Sequence, residues 1–192
     1  MKKRGHIFVI SGPSGVGKGT LLALLLKEHP EISLSISATT RLPRPQETDG
    51  INYFFISKED FKEKIKKDRF LEWAEFAGNY YGTYKNLVEN ALNDEKDIAL
   101  EIDVQGAIQI KNKIKDAILI FISPPSMEEL EQRLINRNTE SKQVIEKRLA
   151  IVKSEIGKIK EFDYEVVNDK LEDALKKLEA IILAQRCKII KK

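Results

Sequence analysis

The sequence predicts an α/β protein: a three-layer α/β/α core built on a parallel sheet. Three observations carry this. Short, almost wholly apolar runs alternate along the 192 residues with amphipathic stretches of helical spacing. Runs apolar on both faces suit a parallel sheet covered by helices on each side. The first run also empties into a glycine-rich turn that opens directly into a leucine-rich helix, the start of a crossover unit. With no internal repeat, low-complexity tract or Ser/Gly linker, the chain reads as one domain over residues 5–184.

In chain order, His6–Ser11 is the first buried strand. Lys18–Glu28, carrying Leu21, Leu22, Leu24, Leu25 and Leu26, is the helix that packs on it. Ile98–Asp103, Ile118–Ser123 and Glu165–Asn168 are three further strands, each followed by a helical pattern, the last being Leu171–Arg186. Ser126 with Glu129 three residues on is a capping-box start for the helix after Pro124-Pro125. Two stretches break the rhythm. Residues 33–84 are rich in Thr, Pro, Gly and aromatics and read as a small β-rich insertion with one helix starting near Ser57. Residues 126–160 are charged and helical, a second excursion. That leaves 5–32, 85–125 and 161–186 as the core.

Composition excludes several classes. A hydrophobic content of 42% is enough for a real core, so wholesale disorder is excluded. No apolar window reaches the ~18 residues of a membrane-crossing helix. Met1-Lys2-Lys3-Arg4 before Ile7-Phe8-Val9-Ile10 imitates a signal peptide, but the run stops at Ser11-Gly12-Pro13 with no cleavage site, so a cytoplasmic protein is expected. A single cysteine, Cys187, forms no internal disulfide or cysteine-based zinc site and reads as a partly buried, unreactive residue. The 33 Lys+Arg are scattered among 30 Asp+Glu, for a net charge of +3, so neither nucleic acid nor a membrane is called for.

Chemistry enters at Gly12-Pro13-Ser14-Gly15-Val16-Gly17-Lys18-Gly19-Thr20. Its glycines let successive N–H groups turn inward on a phosphate, the helix N-terminus adds positive charge, and Lys18 reaches the outer phosphates. This is a P-loop in its required setting of strand, loop and helix. The usual Ser or Thr after the lysine, which holds Mg²⁺, is replaced by Gly19. The candidate metal ligands are therefore Thr20 and Asp103, directly or through water, with the nucleotide itself. Asp103-Val104-Gln105-Gly106 matches the D-x-x-G of GTP-hydrolysing switches, but the accompanying N-K-x-D fails at Asn112-Lys113-Ile114-Lys115. A kinase is the better reading, and without H-R-D or D-F-G strings its acceptor is small, held by the insertion. Arg41 and Arg44 flank Pro43; two arginines so close repel unless an anion lies between them, which points to an anionic acceptor.

Those arginines belong to a longer resemblance. Ser37-Ala38-Thr39-Thr40-Arg41-Leu42-Pro43-Arg44, Gly50-Ile51-Asn52-Tyr53-Phe54-Phe55, Glu72-Trp73-Ala74-Glu75-Phe76 and Gly78-Asn79-Tyr80-Tyr81-Gly82-Thr83 resemble the GMP-binding region of guanylate kinases. Glu101–Gly106, Ser123-Pro124-Pro125-Ser126, Arg137-Asn138-Thr139-Glu140 and Val167-Asn168-Asp169 follow in that family's order. The resemblance implies ATP + GMP = ADP + GDP, with dGMP also accepted, serving GMP recycling and GTP supply, and Mg²⁺ as cofactor. It implies that Arg41, Arg44, Tyr53 and Tyr81 grip the GMP phosphate, that Glu72, Ser37 and Thr83 read guanine, and that Glu101 and Asp103 lie against GMP. It implies that Gly12–Thr20 with Arg133, Arg137, Asn168 and Asp169 bind ATP, and that Lys18, Arg41, Arg137 and Arg148 are catalytic, the lid arginines closing over ATP. Another nucleoside monophosphate as acceptor, and a non-catalytic scaffold, are the competing readings; the intact phosphate loop speaks against the scaffold. Monomer and homo-oligomer both stay open.

Overall fold

The computed structural model describes residues 5–135 and 142–189, without the side chains of 134 and 142–148. Two sheets organise the molecule. A five-stranded parallel sheet has the order β2-β7-β1-β8-β9, built from β1 (Ile7–Ser11), β2 (Ser33–Leu34), β7 (Ile98–Glu101), β8 (Ile118–Ser123) and β9 (Tyr164–Val167). β1 and β8 are buried at every residue, as apolar strands covered on both faces must be. One face packs against α1 (Lys18–Glu28) and α7 (Leu171–Arg186) through Phe8, Ile10, Leu21, Leu25, Leu178 and Ile182. The other packs against α3 (Lys85–Asn93), which the sequence pattern does not mark, and α4 (Val104–Lys113), through Val9, Val88, Leu100 and Ile110.

A second sheet, β4-β3-β6-β5, is formed by β3 (Ala38–Thr39), β4 (Phe54–Phe55), β5 (Phe70–Phe76) and β6 (Asn79–Tyr84). The β5–β6 hairpin turns at Ala77 and Gly78, both at positive φ, as a tight two-residue turn requires. The sheet has its own aromatic core: Phe61 of α2 (Lys58–Lys66) is fully buried and stacks on Phe70 at 4.3 Å and Tyr80 at 5.4 Å. A bulge between Phe70 and Glu72 reverses the alternation of β5, so that Leu71 enters the core beneath α4 while Phe70 stays with the aromatics. Ser57 caps α2, accepting from the Asp60 N–H at 3.0 Å, where the sequence places that helix start.

Three expectations need correction. Ser33–Leu34 lies in the parallel sheet, not the insertion: Ser33 N–H donates to Asp97 O and Ser35 N–H to Ala99 O, both at 2.9 Å, extending the edge beyond β7. Asp103 is not the end of a strand but the N-cap of α4, its Oδ1 accepting from Gly106 N–H at 2.7 Å. Cys187 is exposed, because it follows the last turn of α7.

The helices after β8, α5 (Met127–Ile135) and α6 (Lys142–Ile156), are joined to the core by fully buried Leu130 and by Val152. Ser126 Oγ accepts from Glu129 N–H at 3.1 Å, the capping bond read from sequence. Among the described residues no helix is long and apolar enough to cross a membrane.

Candidate active site

The loop after β1 curls as its glycines allow. Gly12, Gly15 and Gly17 have φ of 141°, 92° and 90°, a region closed to most side chains. Gly17 is doubly constrained, since a Cβ there would meet Asn168 Nδ2 at 2.7 Å. Asn168 is buried after β9 and donates to Val16 O at 2.7 Å, so it fastens the loop to the far edge of the sheet. Arg133 of α5 donates to Asn168 O at 3.2 Å and also pairs with Glu129 one turn earlier. Lys18 Nζ donates to the Gly12 and Pro13 carbonyls at 2.6 and 3.0 Å, bending back over the loop. Asp169 and Thr20 are exposed.

Two carboxylates share the field of Lys18. Glu101, at the end of β7, opens onto solvent, yet the protein packed around its carboxyl raises its pKa against the opposing pull of Lys18. Its oxygens lie 3.5 and 3.6 Å from where a Cβ on Gly19 would stand, the position that carries Ser or Thr in the usual loop. Glu155 of α6, which nothing in the sequence pattern marks, is pushed to about 7 by burial, with Lys18 lowering it and Asp103 raising it. A lone charged position on a mixed helix gives no sequence signal.

The insertion gathers a cationic and phenolic cluster. Tyr53 and Tyr81 meet edge to face at 6.1 Å, and the Arg41 guanidinium stands 5.5 Å over the Tyr53 ring. Burial raises the Tyr53 hydroxyl, and Glu101 adds to the effect, so the cluster faces the end of β7. The anion expected for the arginines is partly supplied by the chain itself: Arg41 Nη1 and Nη2 pair with Glu47 Oε2 and Oε1, each at 2.9 Å, and Arg44 N–H donates to Glu47 Oε2 at 2.7 Å. The Arg44 residue is otherwise exposed. This bidentate contact raises the Arg41 pKa and holds the Glu47 carboxyl below its usual range.

Glu72 lies between β6 and α4 at the floor of the site and is only 3% exposed. Opposite it on β6, Thr83 Oγ1 donates to Glu72 Oε1 at 2.6 Å. Burial pushes the carboxyl to about 7, with the Thr83 bond opposing and the nearby Asp103 charge assisting. Ser37 is buried just before β3. The structure therefore brings Ser37, Glu72 and Thr83 into the insertion's interior, and Arg41, Tyr53 and Tyr81 to its mouth. Arg137 lies outside the described residues, and Arg148 falls on α6 where side chains are not described. Both histidines sit away from the loop: His6 pairs with Asp97 at 3.0 Å at the opposite end of β1, and His29 with Glu179 at 3.0 Å.

Comparison with known proteins agrees with this architecture. The family model described as guanylate kinase matches residues 4–185. A guanylate kinase of Clostridium perfringens (strain 13 / Type A) is 53% identical over 97% of this chain and 86% of its own length. One from Desulfitobacterium hafniense (strain Y51) is 49% identical over 100% and 96%. The crystal structure of guanylate kinase from Anaplasma phagocytophilum superposes with a TM-score of 0.82 at 32% identity, covering 97% of this chain and 89% of that one. Identity near one half along almost every residue, on a fold shared with a solved relative, decides the matter: the chain belongs to the guanylate kinase family.

Proposed function

We infer that this protein is an ATP-dependent kinase that transfers the γ-phosphoryl group to GMP, giving ADP and GDP. The observation that carries this is the guanylate kinase match along 97% of the chain at 53% identity. The site supplies chemistry that suits it. The loop Gly12–Thr20 takes the donor phosphates on its backbone N–H groups, with Lys18 turning from the Gly12 and Pro13 carbonyls toward them. Arg41, Arg44, Tyr53 and Tyr81 take the acceptor phosphate. Glu72 accepts from guanine N1–H and N2–H₂, the Ser37 hydroxyl serves the remaining edge, and Thr83, whose hydroxyl donates to Glu72, stands beside it with Glu101 and Asp103 alongside. Adenine presents an acceptor nitrogen where guanine has N1–H, leaving buried Glu72 with no partner on the base. The guanine and phosphate contacts named are common to GMP and dGMP, so dGMP is expected as a second acceptor.

A phosphate monoester has a second pKa of about 6, so the attacking oxygen is already ionised near neutrality and no general base is required. The protein's task is to align two polyanions and offset their charge. Arg133, with Arg137 and Arg148, closes over ATP, and Asn168 and Asp169 border the adenine. Asp103 commits Oδ1 to the Gly106 N–H; its other oxygen and the exposed Thr20 hydroxyl are hard oxygen donors that would hold Mg²⁺ alongside nucleotide phosphates. A Mg²⁺ ion held there would supply positive charge to offset that of the phosphates.

Turnover with GMP, dGMP, AMP, CMP and UMP tests the assignment. GMP and dGMP are expected to be used, with the others at least about 10²-fold poorer in kcat/KM. Comparable use of AMP or a pyrimidine nucleotide would overturn it.

A further inference from the structure

β5 is an edge strand, and among the described residues one of its sides has no strand partner. α4 lies along that side. Gln109 Nε2 donates to Trp73 O at 2.8 Å while Trp73 N–H donates to Gln109 Oε1 at 3.4 Å, so one side-chain amide answers both backbone groups. Lys113 Nζ donates to Leu71 O at 2.5 Å. Between these anchored residues stands Glu72, and it rests on Gly106: a Cβ there would meet Glu72 Cδ at 3.0 Å, with Oε2 nearer still. Gly106, Gln109 and Lys113 are three and four residues apart and so share one face of α4.

Gly106 is the glycine of the D-x-x-G string, for which no GTP-hydrolysing partner motif exists in the chain. It sits in the first turn of a helix, where alanine is the better residue. It has no positive φ that would demand glycine. The cost to the helix is explained by the carboxylate above it.

We propose that this face of α4, with Gly106 and Gln109 as positioning residues and Lys113 beside them, is the seat that holds Glu72 in register for guanine. The seat rests on the reading of Glu72 as the guanine-binding carboxylate and deepens it. It also says which body carries the specificity. α4 springs from β7 of the core, so Glu72 is referenced to the core through α4, while Tyr81 belongs to β6 and Arg41 and Tyr53 to the segments after β3 and before β4.

The test is steady-state kinetics for GMP and ATP on Gly106→Ala, Gln109→Ala, Glu72→Ala and the Glu72→Ala/Gln109→Ala double variant. Gly106→Ala pushes the carboxylate aside and is expected to raise KM for GMP by about 10- to 10²-fold, the loss that a misplacement of roughly 1 Å causes. Gln109→Ala, at a half-exposed side chain that threatens folding little, is expected to raise it about three- to tenfold. KM for ATP stays as in the wild type for both, and the preference for GMP over AMP falls. In the double variant Gln109→Ala adds nothing to the effect of Glu72→Ala, because the residue it positions is gone. If Glu72→Ala raises KM for GMP but the α4 variants do not, or shift GMP and ATP equally, or add independently in the double variant, the seat is overturned and the guanine reading survives. If Glu72→Ala itself leaves KM for GMP unchanged, that reading fails and the seat falls with it.

Discussion

Glu72→Gln tests what it costs to keep an acid in the floor of the site. The wild-type carboxyl ionises at about 7 in the folded protein against 4.5 for the ordinary group. Between those values the folded state holds a proton that the unfolded chain has released, so stability falls as pH rises through this window. The difference corresponds to about 3 kcal/mol at roughly 1.4 kcal/mol per pH decade, fully expressed only above the folded value. Glutamine keeps the shape and can still accept from Thr83, but carries no charge. Urea unfolding of both proteins at pH 5 and pH 8 isolates the effect, because the two chains differ at this side chain alone. The variant is expected to gain about 2 kcal/mol or somewhat more on the wild type between pH 5 and pH 8, since part of the loss is already present at pH 5. Affinity moves the other way: only the ionised acid accepts both guanine donors, so wild-type KM for GMP drops about tenfold from pH 6 to pH 8 beyond any change shared with the variant. A stability difference that is the same at both pH values would refute the claim that burial holds Glu72 protonated.

Three further outcomes are expected. Lys18→Ala should lower kcat by at least about 10²-fold with little change in melting temperature, and near-normal turnover would refute its role over the phosphates. Asn168→Ala strands the Val16 carbonyl that it now satisfies at 2.7 Å; it should cost about 1–3 kcal/mol in chemical denaturation and raise KM for ATP, whereas an unchanged KM would show that the loop needs no such tie. Phe61→Ala empties the centre of the aromatic core and should destabilise by about 3–5 kcal/mol, with GMP binding lost before ATP binding, as calorimetry with each nucleotide can show.

Much of the molecule is legible in local patterns of residues. α1, β8 and α7 begin and end where the sequence places them, because apolar patterning acts over a few positions. β2 is not legible in this way, since a two-residue edge strand has no pattern of its own; the strand beside it makes it a strand. Arg41 is legible as a charge needing an anion, but its pairing with Glu47 depends on how an irregular loop folds back. The contacts of Glu72 with Thr83 and Gly106 join residues 11 and 34 positions away, set by a bulge and a helix packing that no short window contains. Glu155 is illegible for the same reason. Its surroundings come from α1 and the start of α4, not from its own helix.

The Arg41–Glu47 pair gives acceptor binding the character of an exchange. On the role proposed for Arg41, an arriving phosphate displaces a carboxylate already seated in the guanidinium fork at 2.9 Å on each arm. One anion leaves as another enters, so the gain at this arginine is the difference between two charge-assisted contacts. Dissolved salt screens both contacts, which makes affinity for the acceptor less sensitive to ionic strength than a bare cationic pocket would be. The displaced carboxylate is also the one that holds the Arg44 N–H, so the same event frees the loop between the two arginines to close around what has replaced it.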